Sequence, residues 1–276
     1  MTHSGKTALI TGASFGIGAE FAAQLAARGD NLVLVARSLD RLESLAAELR
    51  NRHGVRVDVI GQDLTATDAA ARIANELLTR GLSVDILVNN AGFGSAGRFE
   101  ELDADREQDQ LMVNVVALAG LTRRLIPAML ERGRGEIVNV ASTAAFQPAP
   151  YFATYASGKT FVLNFSLSLW SEYSDRGIKV LAVCPGPTET QFFDVVGTRK
   201  AAIGAPMGSS EQVVRSALRA LERNRGYVVP GVGNFASAHL MPRRPRTLIA
   251  RIAKLVTRGV ADAASPATEG SVRATR

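Results

Sequence analysis

Tyr155-Ala156-Ser157-Gly158-Lys159 is followed by Phe161, Val162, Phe165 and Leu169 at helical spacing. Tyr155 and Lys159 are four residues apart, so they lie one turn apart on one helix face. A free phenol titrates near ~10 and is a poor base at neutral pH. A neighbouring ammonium favours the phenolate, so the pairing predicts a lowered value for Tyr155. Such a pair can give a proton to a substrate oxygen in a reduction or take one in an oxidation. A Tyr-x-x-x-Lys pair also occurs as a plain surface pair on helices, and three companions weigh against that here. Ser142 follows the apolar strand Ile137–Val140, thirteen residues before the tyrosine, at the sheet end where open α/β folds bind ligands. Asn89-Asn90-Ala91-Gly92 closes another strand at the same edge. Asn114 falls mid-helix in Leu111–Val116, where an amide needs a partner to satisfy it.

A second cluster concerns phosphate. Thr11-Gly12-Ala13-Ser14-Phe15-Gly16-Ile17-Gly18 follows the first strand and opens a helix. Glycines at such a turn let backbone approach a pyrophosphate, and the helix N-terminus aims its N–H groups and dipole at the anion. The position between strand and helix makes this a dinucleotide loop rather than an ordinary turn. The second strand ends Leu34-Val35-Ala36-Arg37-Ser38. An acid for the 2′-hydroxyl of NAD is expected there in NAD folds; alanine holds that place and Arg37 follows. A guanidinium pairs well with a 2′-phosphate, so NADP(H) is the expected cofactor, with Ser14 as a further hydroxyl donor. The competing reading of Arg37 is a solvated arginine after a strand.

Short apolar, β-branched runs must position these residues: Thr7–Ile10, Leu32–Val35, Val55–Ile60, Ile86–Val88, Ile137–Val140, Lys179–Val183 and Tyr227–Val229. Helical patterns lie between them, for example Phe21 and Leu25, then Leu42, Leu45 and Leu49. Continuous apolar strands alternating with helices predict a parallel sheet covered on both faces. The expected fold is therefore α/β and doubly wound (Rossmann-type), one domain over 1–240 with about seven strands. A basic amphipathic helix is expected over 241–260 and a disordered tail over 261–276.

Of 276 residues, 46% are hydrophobic and 21% charged, as in an ordinary globular protein. The net charge of +6 sits entirely in residues 241–276, where eight Lys/Arg face Asp262 and Glu269; residues 1–240 hold 24 of each sign. A neutral body gives no nucleic-acid surface. Cys184 is alone, and His3, His53 and His239 are scattered, so neither a disulfide framework nor a metal site is expected. The N-terminal residues have no secretory pattern, and no run reaches ~18 consecutive apolar residues, so the expectation is a cytoplasmic protein. Within 246–259, Leu248, Ile252, Leu255 and Val256 share one face and Arg251, Lys254 and Arg258 another. Such a helix can lie on an anionic membrane surface, or pack its apolar face on the body or on a second subunit; packing is the preferred reading.

Together the motifs TGASFGIG at 11–18, Asp63-Leu64, NNAG at 89–92, Asn114, Ser142, YASGK at 155–159 and PGPTET at 185–190 resemble the short-chain dehydrogenase/reductase family, over about residues 5–230. The resemblance implies Tyr155 as general acid/base and Lys159 on the nicotinamide ribose, lowering the tyrosine pKa. It implies Ser142 orienting the carbonyl and Asn114 holding a proton-relay water. It also implies Asp63 on the adenine, Asn90 and Gly92 beside the adenosine ribose, Leu64 and Ala91 among the cofactor-binding residues, and Pro185, Gly186, Thr188 and Thr190 near the carboxamide. The implied reaction is carbonyl reduction or its reverse, in a homodimer or homotetramer joined through helices at about 105–131 and 152–175. Phe93, Phe146, Pro148, Tyr151, Phe152, Phe192 and Phe193 suggest an apolar substrate side, and Pro187–Ser210, with Gly197, Gly204 and Gly208, is long enough for a mobile lid. An NADP(H)-sensing module without turnover, a protein acting through its basic tail, and an epimerase or dehydratase are the competing functions.

Overall fold

The computed structural model describes residues 5–191, 207–240 and 243–264. Seven strands form one sheet: β1 (Thr7–Thr11), β2 (Asn31–Ala36), β3 (Val57–Gly61), β4 (Ile86–Asn89), β5 (Gly135–Val140), β6 (Ile178–Val183) and β7 (Tyr227–Val228). Their order is β3-β2-β1-β4-β5-β6-β7, and every pairing is parallel. The direction of winding reverses between β1 and β4, so the loops after these two strands diverge and open a crevice.

The strands are buried on both faces, which is why they read as unbroken apolar runs. Ala8 and Ile10 of β1 face one core with Phe21 and Leu25 of α1 (Gly16–Ala27) and Leu42 and Leu49 of α2 (Leu39–His53). Leu9, between them, faces the other core with Ile73 and Leu77 of α3 (Ala69–Thr79). The period of two along β1 thus feeds two helix layers.

The helical run after β4 consists of α4 (Ala104–Leu111), a π-helical segment (Met112–Ala117) and α5 (Leu118–Glu131). By length and composition Ala104–Glu131 could cross a membrane, but its buried residues Leu121, Ile126 and Met129 pack in the second core. Next come α6 (Ala153–Tyr173), α7 (Ser210–Glu222), α8 (Val232–Leu240) and α9 (Arg246–Ala264). Helix α9 runs to Ala264, four residues into the stretch expected to be a disordered tail; Ala261, Ala263 and Ala264 are strong helix formers and extend it. Phe192, Phe193, Gly197 and Gly204 of the expected lid, and residues 265–276, lie outside the described residues.

Candidate active site

A cleft of about 1600 Å3 opens beyond the carboxyl ends of the strands, lined by Gly12, Arg37, Asn90, Ser142 and Pro185 among others. Each of these follows a strand of the sheet, so one edge collects residues far apart in sequence.

The glycine loop occupies the crevice at β1. Gly12 (φ +64°) and Gly16 (φ +58°) are in the left-handed region that side chains disfavour. A Cβ at Gly18 would stand 2.2 Å from the carbonyl oxygen of Gly12 and one at Gly16 2.9 Å from Cγ2 of Thr190. Ser14, Phe15 and Ile17 line the cleft with Gly12 and Gly16, while Gly18 stands behind them. Helix α1 begins at Gly16, so its free N–H groups face the opening. Thr11 and Asn90 brace this loop. The amides of Asn90 and Ala91 both donate to Thr11 Oγ1 at 3.0 Å, and Asn90 Nδ2 donates to the carbonyls of Thr11 (2.9 Å) and Gly12 (3.1 Å). The Asn90 side chain is therefore spent on holding the phosphate loop, while its surface still lines the cleft.

Arg37 follows β2, is exposed and lines the cleft; among the described residues no carboxylate pairs with it. Asp63 and Leu64, after β3, line the same end. Asp63 Oδ1 accepts the amide of Thr65 at 3.0 Å, which fixes the carboxylate, while Leu64 is buried.

At the other end Ser142, Tyr155 and Lys159 line the cleft together. Ser142 caps a short 3-10 turn, its Oγ accepting the amide of Ala144 at 3.1 Å. Lys159 is buried, donates to the Val140 carbonyl at 2.8 Å, and has Nζ 5.8 Å from the Tyr155 ring centroid. Burial pushes Tyr155 up to about 12, against a smaller pull downward from its hydrogen bond with Ser142. Burial also brings Lys159 down to about 8. This corrects the expected lowering of Tyr155. Spacing placed the ammonium nearby, but desolvation of the phenolate outweighs the other influences on it. Cys184, behind the pair, is likewise pushed up to about 12 by burial and remains a neutral thiol.

Asn114 stands behind the cleft wall in the π segment, whose extra residue per turn re-aims a side chain without ending the helix. Its Oδ1 accepts the amide of Phe93 at 3.1 Å and its Nδ2 donates to the Phe93 carbonyl at 2.8 Å. A Cβ at Gly92 would be 2.9 Å from Asn114 Oδ1 and 3.4 Å from Lys159 Nζ, so the three residues converge. The partner that a mid-helix amide demands is thus the loop after β4.

Sequence reasoning missed a buried polar chain beneath the site. Asn89 Nδ2 donates to Asn139 Oδ1 (2.9 Å) and Thr122 Oγ1 (3.1 Å), and Asn139 Nδ2 donates to Ser166 Oγ (2.9 Å). It ties β4, β5, α5 and α6 together. The available signal was an asparagine in each of two apolar strands. Gly186 packs on Asn234 of α8, where a Cβ would approach the side chain to 2.4 Å, and Thr188 Oγ1 donates to the Gly186 carbonyl at 2.9 Å. Pro185, Gly186, Thr188 and Thr190 all line the cleft. Of the expected apolar residues, Phe93, Pro148 and Phe152 line it too. Phe146 instead packs in the core against Tyr227 and His239. Tyr151 sits in a positive-φ turn whose carbonyl accepts the Gly97 amide, a backbone role that no side-chain pattern reveals.

The family model for short chain dehydrogenase matches residues 6–201. A very-long-chain 3-oxoacyl-CoA reductase of Rattus norvegicus is 33% identical over 246 residues, covering 87% of this chain and 76% of the relative. A short-chain dehydrogenase from Sphingobium yanoikuyae, solved in complex with NADPH, superposes with a TM-score of 0.79 at 34% identity, covering 89% of this chain and 95% of that one. The bulky-bulky ketone specific alcohol dehydrogenase from Comamonas testosteroni superposes at 0.74 with 33% identity, covering 89% and 96%. The chain therefore belongs to the short-chain dehydrogenase/reductase family and is an oxidoreductase acting on carbonyl groups.

Proposed function

We propose that this enzyme uses NADPH to reduce a ketone carrying a long or bulky apolar substituent. One observation carries the reading: a single cleft holds Arg37 at one end and Ser142, Tyr155 and Lys159 at the other. The glycine loop that a Cβ would fill and the Arg37 guanidinium, which no carboxylate among the described residues pairs, fit a 2′-phosphorylated dinucleotide. When bound, NADPH supplies the hydride for the carbonyl carbon. Tyr155, held protonated by burial, gives its phenolic proton to the carbonyl oxygen. Ser142, hydrogen-bonded to Tyr155, orients that oxygen. Lys159 spends one N–H on Val140, which leaves two to hold the cofactor ribose and to re-supply the tyrosine. Asn114 fixes the Phe93 loop against the cofactor and the relay path. The relatives that reduce 3-oxoacyl chains or bulky ketones support the apolar substrate class.

Leu111, Val116 and Phe161 are exposed apolar residues of α4, the π segment and α6, and Phe161 stacks on Phe165. They support pairing of two copies through these helices. The test of function is fluorescence titration of NADPH and NADH with wild type and Arg37→Ala, followed by a ketone screen. NADPH preference that collapses in the variant and net NADPH consumption support the reading. Equal binding would refute the cofactor assignment; interconversion without NADPH consumption would indicate an epimerase or dehydratase. Binding without turnover on any substrate would leave the sensing module.

A further inference from the structure

The family match ends at residue 201, yet the cleft continues onto residues well beyond it. Ile249, Ile252, Ala253, Val256 and Thr257 of α9 line the same cavity as Ser142 and Tyr155. They recur at three- and four-residue spacing and so form one stripe of the helix. Its outer members are anchored, Ile249 being 2% and Thr257 3% exposed. Ile252 and Val256 keep 40% and 59% of their surface open. Gln212, Val213, Arg215, Ser216 and Arg219 of α7 line the cavity as well. The cavity, about 1600 Å3, exceeds the roughly 300–1,000 Å3 usual for one drug-sized ligand, so it has room for a dinucleotide and a second molecule.

We propose that α9 is the specificity wall of the enzyme, with Ile252 and Val256 gripping the apolar tail of the substrate. The inference rests on the ketone-reductase reading and deepens it. The occupant is the substrate's hydrocarbon chain, because the stripe is continuous with the catalytic cleft and presents half-open branched side chains there. Those side chains gain by covering apolar surface and offer nothing to a charged group. The exposed Arg251, Lys254 and Arg258 lie on other faces of the helix and keep it wetted.

The test is steady-state NADPH-dependent reduction of straight-chain 2-ketones, from 2-butanone to 2-dodecanone, by wild type and the double variant Ile252→Ser with Val256→Ser. Both positions are partly exposed, so the variant should fold, and its circular dichroism melt checks this. The expected result is a fall of at least tenfold in the ratio of kcat/KM for 2-dodecanone over 2-butanone, with KM for NADPH within twofold of wild type. Ile252→Trp, which fills the wall, should shift the optimum to shorter chains. An equal loss at every chain length, or an unchanged ratio, overturns the proposal. If wild type reduces no ketone, the functional reading falls by itself. The wall is then read by calorimetric titration of the same ketones into the protein loaded with NADP+. Affinity that rises with chain length in wild type and loses that rise in the double variant supports it; the same slope in both, or no slope, overturns it.

Discussion

Replacing Lys159 by methionine should trade catalysis for stability in a pH-dependent way. The ammonium is buried, donates one hydrogen bond to the Val140 carbonyl, and titrates near 8 instead of its ordinary 10.5. At about 1.36 kcal/mol per pH unit, that gap is about 3 kcal/mol. Below pH 8 both folded and unfolded chains hold the proton, and the full penalty opposes folding. Between about 8 and 10.5 the unfolded chain still binds a proton that the folded one has released, so wild-type stability rises with pH through this window. Methionine keeps the stem and carries no proton, so it escapes the penalty at every pH. It also leaves the Val140 carbonyl unpaired, at a cost of about 1–3 kcal/mol that does not vary with pH. The stability of Lys159→Met relative to wild type should therefore fall by about 2.5 kcal/mol between pH 7 and pH 10. Urea unfolding of both proteins at the two pH values measures this difference of differences, in which titrating groups not coupled to Lys159 cancel. A gap that stays constant within about 0.5 kcal/mol would mean that the ammonium is not desolvated, and the account of Lys159 would fail.

Three further outcomes follow from distances around the cleft. Tyr155→Phe should cut turnover by about 10²–10⁴-fold, as expected for loss of a general acid, with the NADPH dissociation constant unchanged; near-normal turnover would remove Tyr155 from the reaction. Gly18→Ala should raise KM for the cofactor at least about tenfold without melting α1, because a Cβ 2.2 Å from the Gly12 carbonyl must displace the phosphate loop; an unchanged KM would show that the loop yields freely. Asn139→Ala removes one of the two hydrogen bonds donated by Asn89 Nδ2 and the bond donated to Ser166 Oγ, leaving Thr122 and the Val162 carbonyl as their remaining partners, and should lower unfolding free energy by about 1–3 kcal/mol in urea titration; a loss below about 0.5 kcal/mol would mean water replaces the missing amide.

The sheet was legible because parallel strands covered on both faces leave little choice of residue. Val33 and Val35 of β2 meet one core and Leu32 and Leu34 the other, and all four are fully buried. The cofactor loop was legible for a related reason, since only glycine fits where backbone approaches backbone. Helix ends and local re-aiming were harder to read. Asn114 signalled an unmet amide, but nothing in Met112–Ala117 announces a π turn or that the amide's partner is the distant backbone of Phe93. The apolar face expected of α9 was Leu248, Ile252, Leu255 and Val256, whereas the anchored residues are Ile249 and Thr257, with Leu255 75% exposed. Periodicity locates a stripe to within about one residue position, and a helix at the lip of a cleft has no solid core to fix which edge of the stripe turns inward.

The Tyr155–Lys159 pair shows where spacing stops being informative. Four residues of separation place the groups together, but the same enclosure that excludes water acts on them in opposite directions, raising the phenol to about 12 and lowering the ammonium to about 8. Both shifts favour neutral forms, so the tyrosine waits as a proton donor and the lysine is poised to release a proton near physiological pH. That arrangement suits reduction, in which the tyrosine starts protonated. Oxidation requires the phenolate, which would be stabilised by the positive charge of an oxidised nicotinamide. The apolar surroundings of the pair therefore set which proton each group holds at the start of a turnover, and they do so through residues that carry no charge.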